Sequence, residues 1–130
     1  MIPLVPFIQQ YLDQPNVGDT PENKGQCVGL IEVWLDQNKR PHIWGNAKDL
    51  LDNADPHVYR IIKNSPTNFP QAGDVIVWGA TWGGGRGHTA VVVAATVNVV
   101  ASFEANNPEG HNPQILMHDY SGVLGWIRFA

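Results

Sequence analysis

The chain has 130 residues, a formal net charge of −4, 43% hydrophobic residues and only 15% charged ones. That much apolar character supports one core over residues 1–130 as a single domain and excludes intrinsic disorder. Lys and Arg total 8 against 12 Asp and Glu, with no basic stripe, which excludes nucleic acid as the principal partner.

The N-terminal stretch MIPLVPFIQQYL lacks a basic region and a small-residue cleavage site. It does not read as a signal peptide, so synthesis in a host cytoplasm is expected. Apolar residues at 7, 8, 11 and 12 predict a helix over Pro6–Asp13. Asn16–Lys24 is a polar loop. Gln26–Asn38 carries Val28, Leu30, Ile31, Trp34 and Leu35 on a broad apolar face and predicts the main buried helix. Asn46–Asn53 predicts a second helix with Asn46 as its N-cap. Two prolines and a glycine make Asn64–Gly73 a loop. The period then changes to two, and Asp74–Trp78, His88–Thr96, Val99–Ala105 and Leu124–Ala130 predict strands. The nearly uncharged run Thr89–Phe103 is shorter than the roughly 20 residues of a membrane helix, so it reads as buried strands and no membrane insertion is expected. Helices followed by an antiparallel sheet give an α+β order.

The single cysteine, Cys27, lies in GQCVG at the first turn of the main helix. A lone cysteine is ordinarily a small buried hydrophobe. A helix N-terminus nevertheless offers free N–H groups and positive partial charge, which favour a thiolate nucleophile. Such a nucleophile needs a base, an orienter for the base, and oxyanion donors. His88, in RGHTAVVV, sits at the mouth of a strand behind the glycine-rich loop Gly79–Gly87 and is the best base. A hairpin turning near Thr96–Asn98 brings the end of the next strand opposite His88. Glu104 and Asn106 share one face there, and either one suits the orienter's job. Gln26 is a candidate oxyanion donor beside the main chain of Cys27. In the glycine loop, Trp82 and Arg86 suit a groove wall, by stacking on a sugar and pairing with a carboxylate. Trp78 and Trp126 read as core, and Asp74 as a strand-start residue. His42, His57, His111 and His118 lack such context and read as surface or loop residues, with His111 near enough to touch substrate. No Cys/His spacing of a usual zinc site is present, so no metal is expected.

Six pieces in order, GQCV at 25–28, WGNA at 44–47, PQAGDVIVW at 70–78, GHTAVVV at 87–93, FEAN at 103–106 and GWIRFA at 125–130, make the chain resemble the CHAP family. These are cysteine- and histidine-dependent amidohydrolases and peptidases of peptidoglycan with a papain-like fold. The resemblance implies Cys27 as nucleophile, His88 as base, Glu104 as orienter, Asn106 as a further polar member and Gln26 at the oxyanion hole, with no cofactor. It implies bacterial peptidoglycan as the partner, cut at the muramoyl–alanine amide or within the stem or cross-bridge. It also implies a phage endolysin or virion-associated lysin, with wall binding left to a separate domain or a phage structural protein. The same fold with a silent site would be a wall-binding module, and a protein amide is the other substrate class. Some members bind calcium through an aspartate two residues after the cysteine, where this chain has Gly29, so calcium is not expected there. Asn107, a candidate substrate-binding residue, stands where many members have an aromatic, a departure that bears on the groove contacts and not on the chemistry.

Overall fold

The computed structural model describes residues 3–130; Met1 and Ile2, which opened the signal-peptide reading, lie outside them. Helix α1 spans Leu4–Tyr11 and α2 spans Cys27–Gln37. A 3-10 turn at Ala47–Asp49 runs into α3, a single turn over Leu50–Asn53. Six strands follow: β1 (Tyr59–Lys63), β2 (Val75–Trp78), β3 (His88–Ala95), β4 (Val100–Glu104), β5 (Gln114–His118) and β6 (Val123–Phe129). They form one antiparallel sheet in the order β1-β6-β2-β3-β4-β5, so the chain is α+β as its pattern indicates.

Alternation along the strands sorts the apolar residues onto two faces. Val75, Val77, Val91, Phe103 and Ile127 pack with Leu30, Ile31, Trp34 and Leu35 of α2. Phe7 of α1 fills the same core, its ring 4.7 Å from Trp34 and 6.0 Å from Phe103. Ile76, Trp78, Ala90, Val92, Val100 and Trp126 form the second cluster, on the opposite parity. Each fully buried large side chain contributes about 1.5–3 kcal/mol. These contacts fix α2 against β3, which sets where Cys27 and His88 meet. Trp34 also donates its indole N–H to the Gly73 carbonyl at 3.1 Å, anchoring the loop ahead of β2. Across the sheet, buried Asp74 accepts from Arg128 Nη2 at 2.9 Å and from the Gln71 N–H at 2.8 Å, locking the start of β2 to β6.

The structure adds two strands to those expected, β1 and β5, and they are the two sheet edges. The expected second helix is a 3-10 turn and one α turn. Asn46 precedes it in extended backbone and accepts the Asp49 N–H through its carbonyl, so it makes no side-chain cap. Two ties to residues outside it shape this segment instead. The Lys48 N–H goes to the Arg86 carbonyl, and the Asn53 amide reaches back to the Trp44 carbonyl at 2.7 Å. The β3–β4 hairpin closes through the Thr96 N–H to the Val99 carbonyl, and a register shift between Val92 and Ala94 twists it. No helix among the described residues is long and apolar enough to cross a membrane.

Candidate active site

Cys27 is the first residue of α2 and is half-buried. Gln26 before it is extended (φ −88°, ψ 160°) and accepts the Gly29 and Leu30 N–H groups on its carbonyl. First-turn N–H groups have no partner inside a helix. Those of Cys27 and Val28 find no acceptor among the described residues, so the helix directs two free donors at the cysteine. The Gln26 side chain gives one amide N–H to the Glu22 carbonyl at 2.8 Å, which leaves its other N–H available.

Gly29, one turn along, explains how closely the preceding loop wraps this end. A Cβ there would lie 2.1 Å from the Asn23 carbonyl oxygen and 2.8 Å from that of Val17. Only glycine allows that approach. An aspartate at 29 has no room in this backbone.

His88 opens β3 opposite Trp78 and is 4% exposed. Gly87 before it has φ +81°, and a Cβ there would lie 2.5 Å from the Trp78 carbonyl and 2.6 Å from the Lys48 nitrogen. The His88 Nε2 lies 3.0 Å from Glu104 Oε1. Val91 pairs with Phe103, so continuing the register makes His88 and Glu104 diagonal neighbours on one face. Glu104 is wholly buried and accepts three further bonds: from Asn107 Nδ2 at 2.7 Å on Oε1, and from Ser102 Oγ and His118 Nε2 (2.8 Å) on Oε2. Burial works against its charge, but the bonds from His118, His88, Ser102 and Asn107 prevail and hold its pKa down to about 2. An ionised carboxylate only accepts, so His88 carries its proton on Nε2 and Nδ1 is left for the cysteine. Burial also works against a charged His88. Side-chain hydrogen bonds with Cys27 and Glu104, then the charges of both, outweigh it and push the pKa up to about 9.

An open groove of about 930 Å³ runs past this site. Gln26, Cys27 and His88 line it, together with Trp82, Arg86, Asn106, Asn107 and His111. Trp82 lies flat on His88, with ring centroids 5.7 Å apart and planes at 13°. Asn106 is drawn elsewhere: it has φ +62°, and its Oδ1 accepts the Gly110 N–H at 2.6 Å to close the turn after β4. Glu104 meets the imidazole, while the Asn106 amide serves that turn. Asn107 faces the groove and also braces Glu104.

His118, read from sequence as a surface or loop residue, is a strand residue bonded to Glu104. The edge strand that carries it shows exposed Ile115 and Met117 to solvent, which hides the usual inward apolar signal. The parity of Gln114, Leu116 and His118 was the available clue. His42 is likewise no free surface residue: its Nδ1 lies 2.7 Å from Glu32 Oε2 and 3.4 Å from Asp19 Oδ2. Those three residues bring ligand-type atoms within 4.8 Å of one another, the group among the described residues best placed to hold a metal ion. Burial raises the pKa of Glu32, with the bond and charge of His42 opposing it. The ring N–H of His42 already serves that carboxylate.

A family model described as the CHAP domain matches residues 16–106. Endolysin PlyTW of Staphylococcus phage Twort is 34% identical over 114 residues, covering 79% of this chain and 24% of that protein. The chain therefore spans about a quarter of the length of that curated relative. The wild-type endolysin LysIME-EF1 superposes with a TM-score of 0.77 at 23% identity, over 98% of this chain and 64% of that one. Ly7917, solved with the hydrolyzing product of MDP, superposes with a TM-score of 0.70 at 18% identity, over 95% of this chain and 59% of that one. At those identities the two structures speak for the fold alone.

Proposed function

The chain belongs to the CHAP domain family, and from that premise we propose that it is the catalytic module of a phage peptidoglycan hydrolase that cuts an amide bond through Cys27. The observation that carries this reading is the continuous chain Cys27–His88–Glu104, set at a helix N-terminus on the wall of an open groove. The similarity to a phage endolysin favours the bacterial wall as substrate.

With the His88 ring charged below about 9, the thiol proton rests on its Nδ1, and the thiolate sulfur attacks the amide carbonyl carbon. The developing oxyanion is met by the Cys27 main-chain N–H and the spare Gln26 amide N–H. Collapse breaks the C–N bond, His88 returns the proton to the leaving amine, and a thioester remains. Water, with His88 taking its proton, then hydrolyses the thioester and restores the thiol. Glu104 holds the imidazole in the Nε2–H form throughout. Trp82 and Arg86 line the approach, where a glycan face and a stem-peptide carboxylate would rest. Wall binding and delivery fall to a further domain or to a phage structural partner.

Mass spectrometry of fragments released from purified walls tests the reading. New free amines, either on alanine or within the stem and cross-bridge, are expected, and their position names the bond. New reducing sugar ends without new amines would overturn it.

A further inference from the structure

We propose that His118 is a positioning residue for the Cys27–His88–Glu104 chain, its Nε2–H clamping Glu104 Oε2 so that Oε1 faces His88. The inference rests on the thiol mechanism proposed above.

The two oxygens of Glu104 divide their partners. Oε1 takes His88 and Asn107, and Oε2 takes Ser102 and His118 at 2.8 Å. A carboxylate with no solvent contact depends wholly on these donors for its orientation. Without His118, Oε2 keeps only a hydroxyl, which rotates freely about its C–O bond. The carboxylate can then swing, and each swing moves Oε1 away from the His88 N–H.

His118 is rigid enough for the task. Its ring stands edge-on to Trp78 (5.1 Å, 70°) and to Trp82 (5.3 Å, 81°), and its side chain is 12% exposed. The same Trp82 lies flat on His88, and Trp78 lies 5.2 Å from it. Both imidazoles are therefore held by one pair of indoles while pointing at opposite oxygens of one carboxylate. Satisfying a buried Glu104 requires only donors. Fixing its angle requires donors that cannot move, and an imidazole wedged between two tryptophans is such a donor.

The test reads Cys27 directly. It is the sole cysteine, so iodoacetamide uptake at neutral pH reports how well His88 activates it, independently of any wall substrate. His118→Leu removes the donor, with His118→Phe in its place if the leucine variant does not fold; His118→Gln retains an N–H at similar reach. The apolar variant should be alkylated about tenfold more slowly or worse, and kcat for wall cleavage should fall about ten- to hundredfold with KM little changed. The glutamine variant should recover most of both. Wild-type alkylation in a folded apolar variant, or a glutamine variant as slow as the apolar one, overturns the role of His118. The two readings fail separately. A Cys27→Ala protein that clears walls like the wild type removes the thiol mechanism itself. A dead Cys27→Ala protein beside an unchanged His118→Leu alkylation rate removes only the positioning role.

Discussion

Glu104→Gln takes away the charge that His88 faces while keeping the side chain's size. In the wild type the His88 pKa rises from 6.5 to about 9, which at 1.36 kcal/mol per pH unit corresponds to roughly 3 kcal/mol of preference for the charged ring. Burial opposes that preference, and Cys27 supplies the largest favourable share, with Glu104 next. An opposite charge at this range shifts a pKa by roughly 1–3 units, so losing the Glu104 charge should lower the His88 pKa by about one unit or more. The sign for stability follows from the same pair, counted once. The raised His88 contributes fully below 6.5 and loses its contribution as pH rises through about 9. The lowered Glu104 contributes fully above 4.5 and loses its contribution as pH falls through about 2. Wild type should therefore exceed the variant most between 4.5 and 6.5, and the gap should narrow as His88 is deprotonated. Titrating the His88 Cε1–H resonance by NMR in both proteins measures the drop, and urea unfolding across pH measures the gap. A His88 that titrates at the same pH in both proteins would refute the reasoning, as would a wild-type value at or below 6.5.

Gly87→Ala forces a Cβ between the Trp78 carbonyl and the Lys48 nitrogen at a positive φ; it should destabilise the fold by more than about 2 kcal/mol, read as a lower urea midpoint, and an unchanged midpoint would contradict the close packing. Asp74→Asn leaves Arg128 without its carboxylate; because Arg128 is partly exposed, the cost should be about 2 kcal/mol rather than that of a fully buried pair, and thermal unfolding at the wild-type temperature would count against the pair. Trp82→Ala strips a ring from both the groove and the His88 face; KM for wall fragments should rise and kcat should also fall, and unchanged values for both would remove Trp82 from the groove wall.

The strands that carry the site were legible because they are interior. DVIVW and HTAVVV are buried on both faces, so they read as short continuous β-branched runs bounded by turn residues. YRIIK and QILMH are edge strands with a solvent-facing side, and exposed Ile115 and Met117 mimic an inward face. Missing β5 also hid His118, since a histidine has no address until its strand is placed. Residues 47–53 are helical as their pattern indicates, but the segment opens as a 3-10 turn tied to the Arg86 carbonyl, a distant pairing that no local pattern encodes. Alternation alone put Glu104 and Asn106 on one face. The chain leaves extended geometry at Asn106, where φ is +62°, so alternation ends one residue before it and Asn107 takes the place beside Glu104.

The central claim is that Cys27 is the nucleophile of wall cleavage, and turbidity loss of purified cell walls, wild type against Cys27→Ala, tests it most directly. The substitution removes one half-buried sulfur at a helix start, so the variant should fold while clearing falls to background. An alanine variant that clears walls at the wild-type rate would contradict the account.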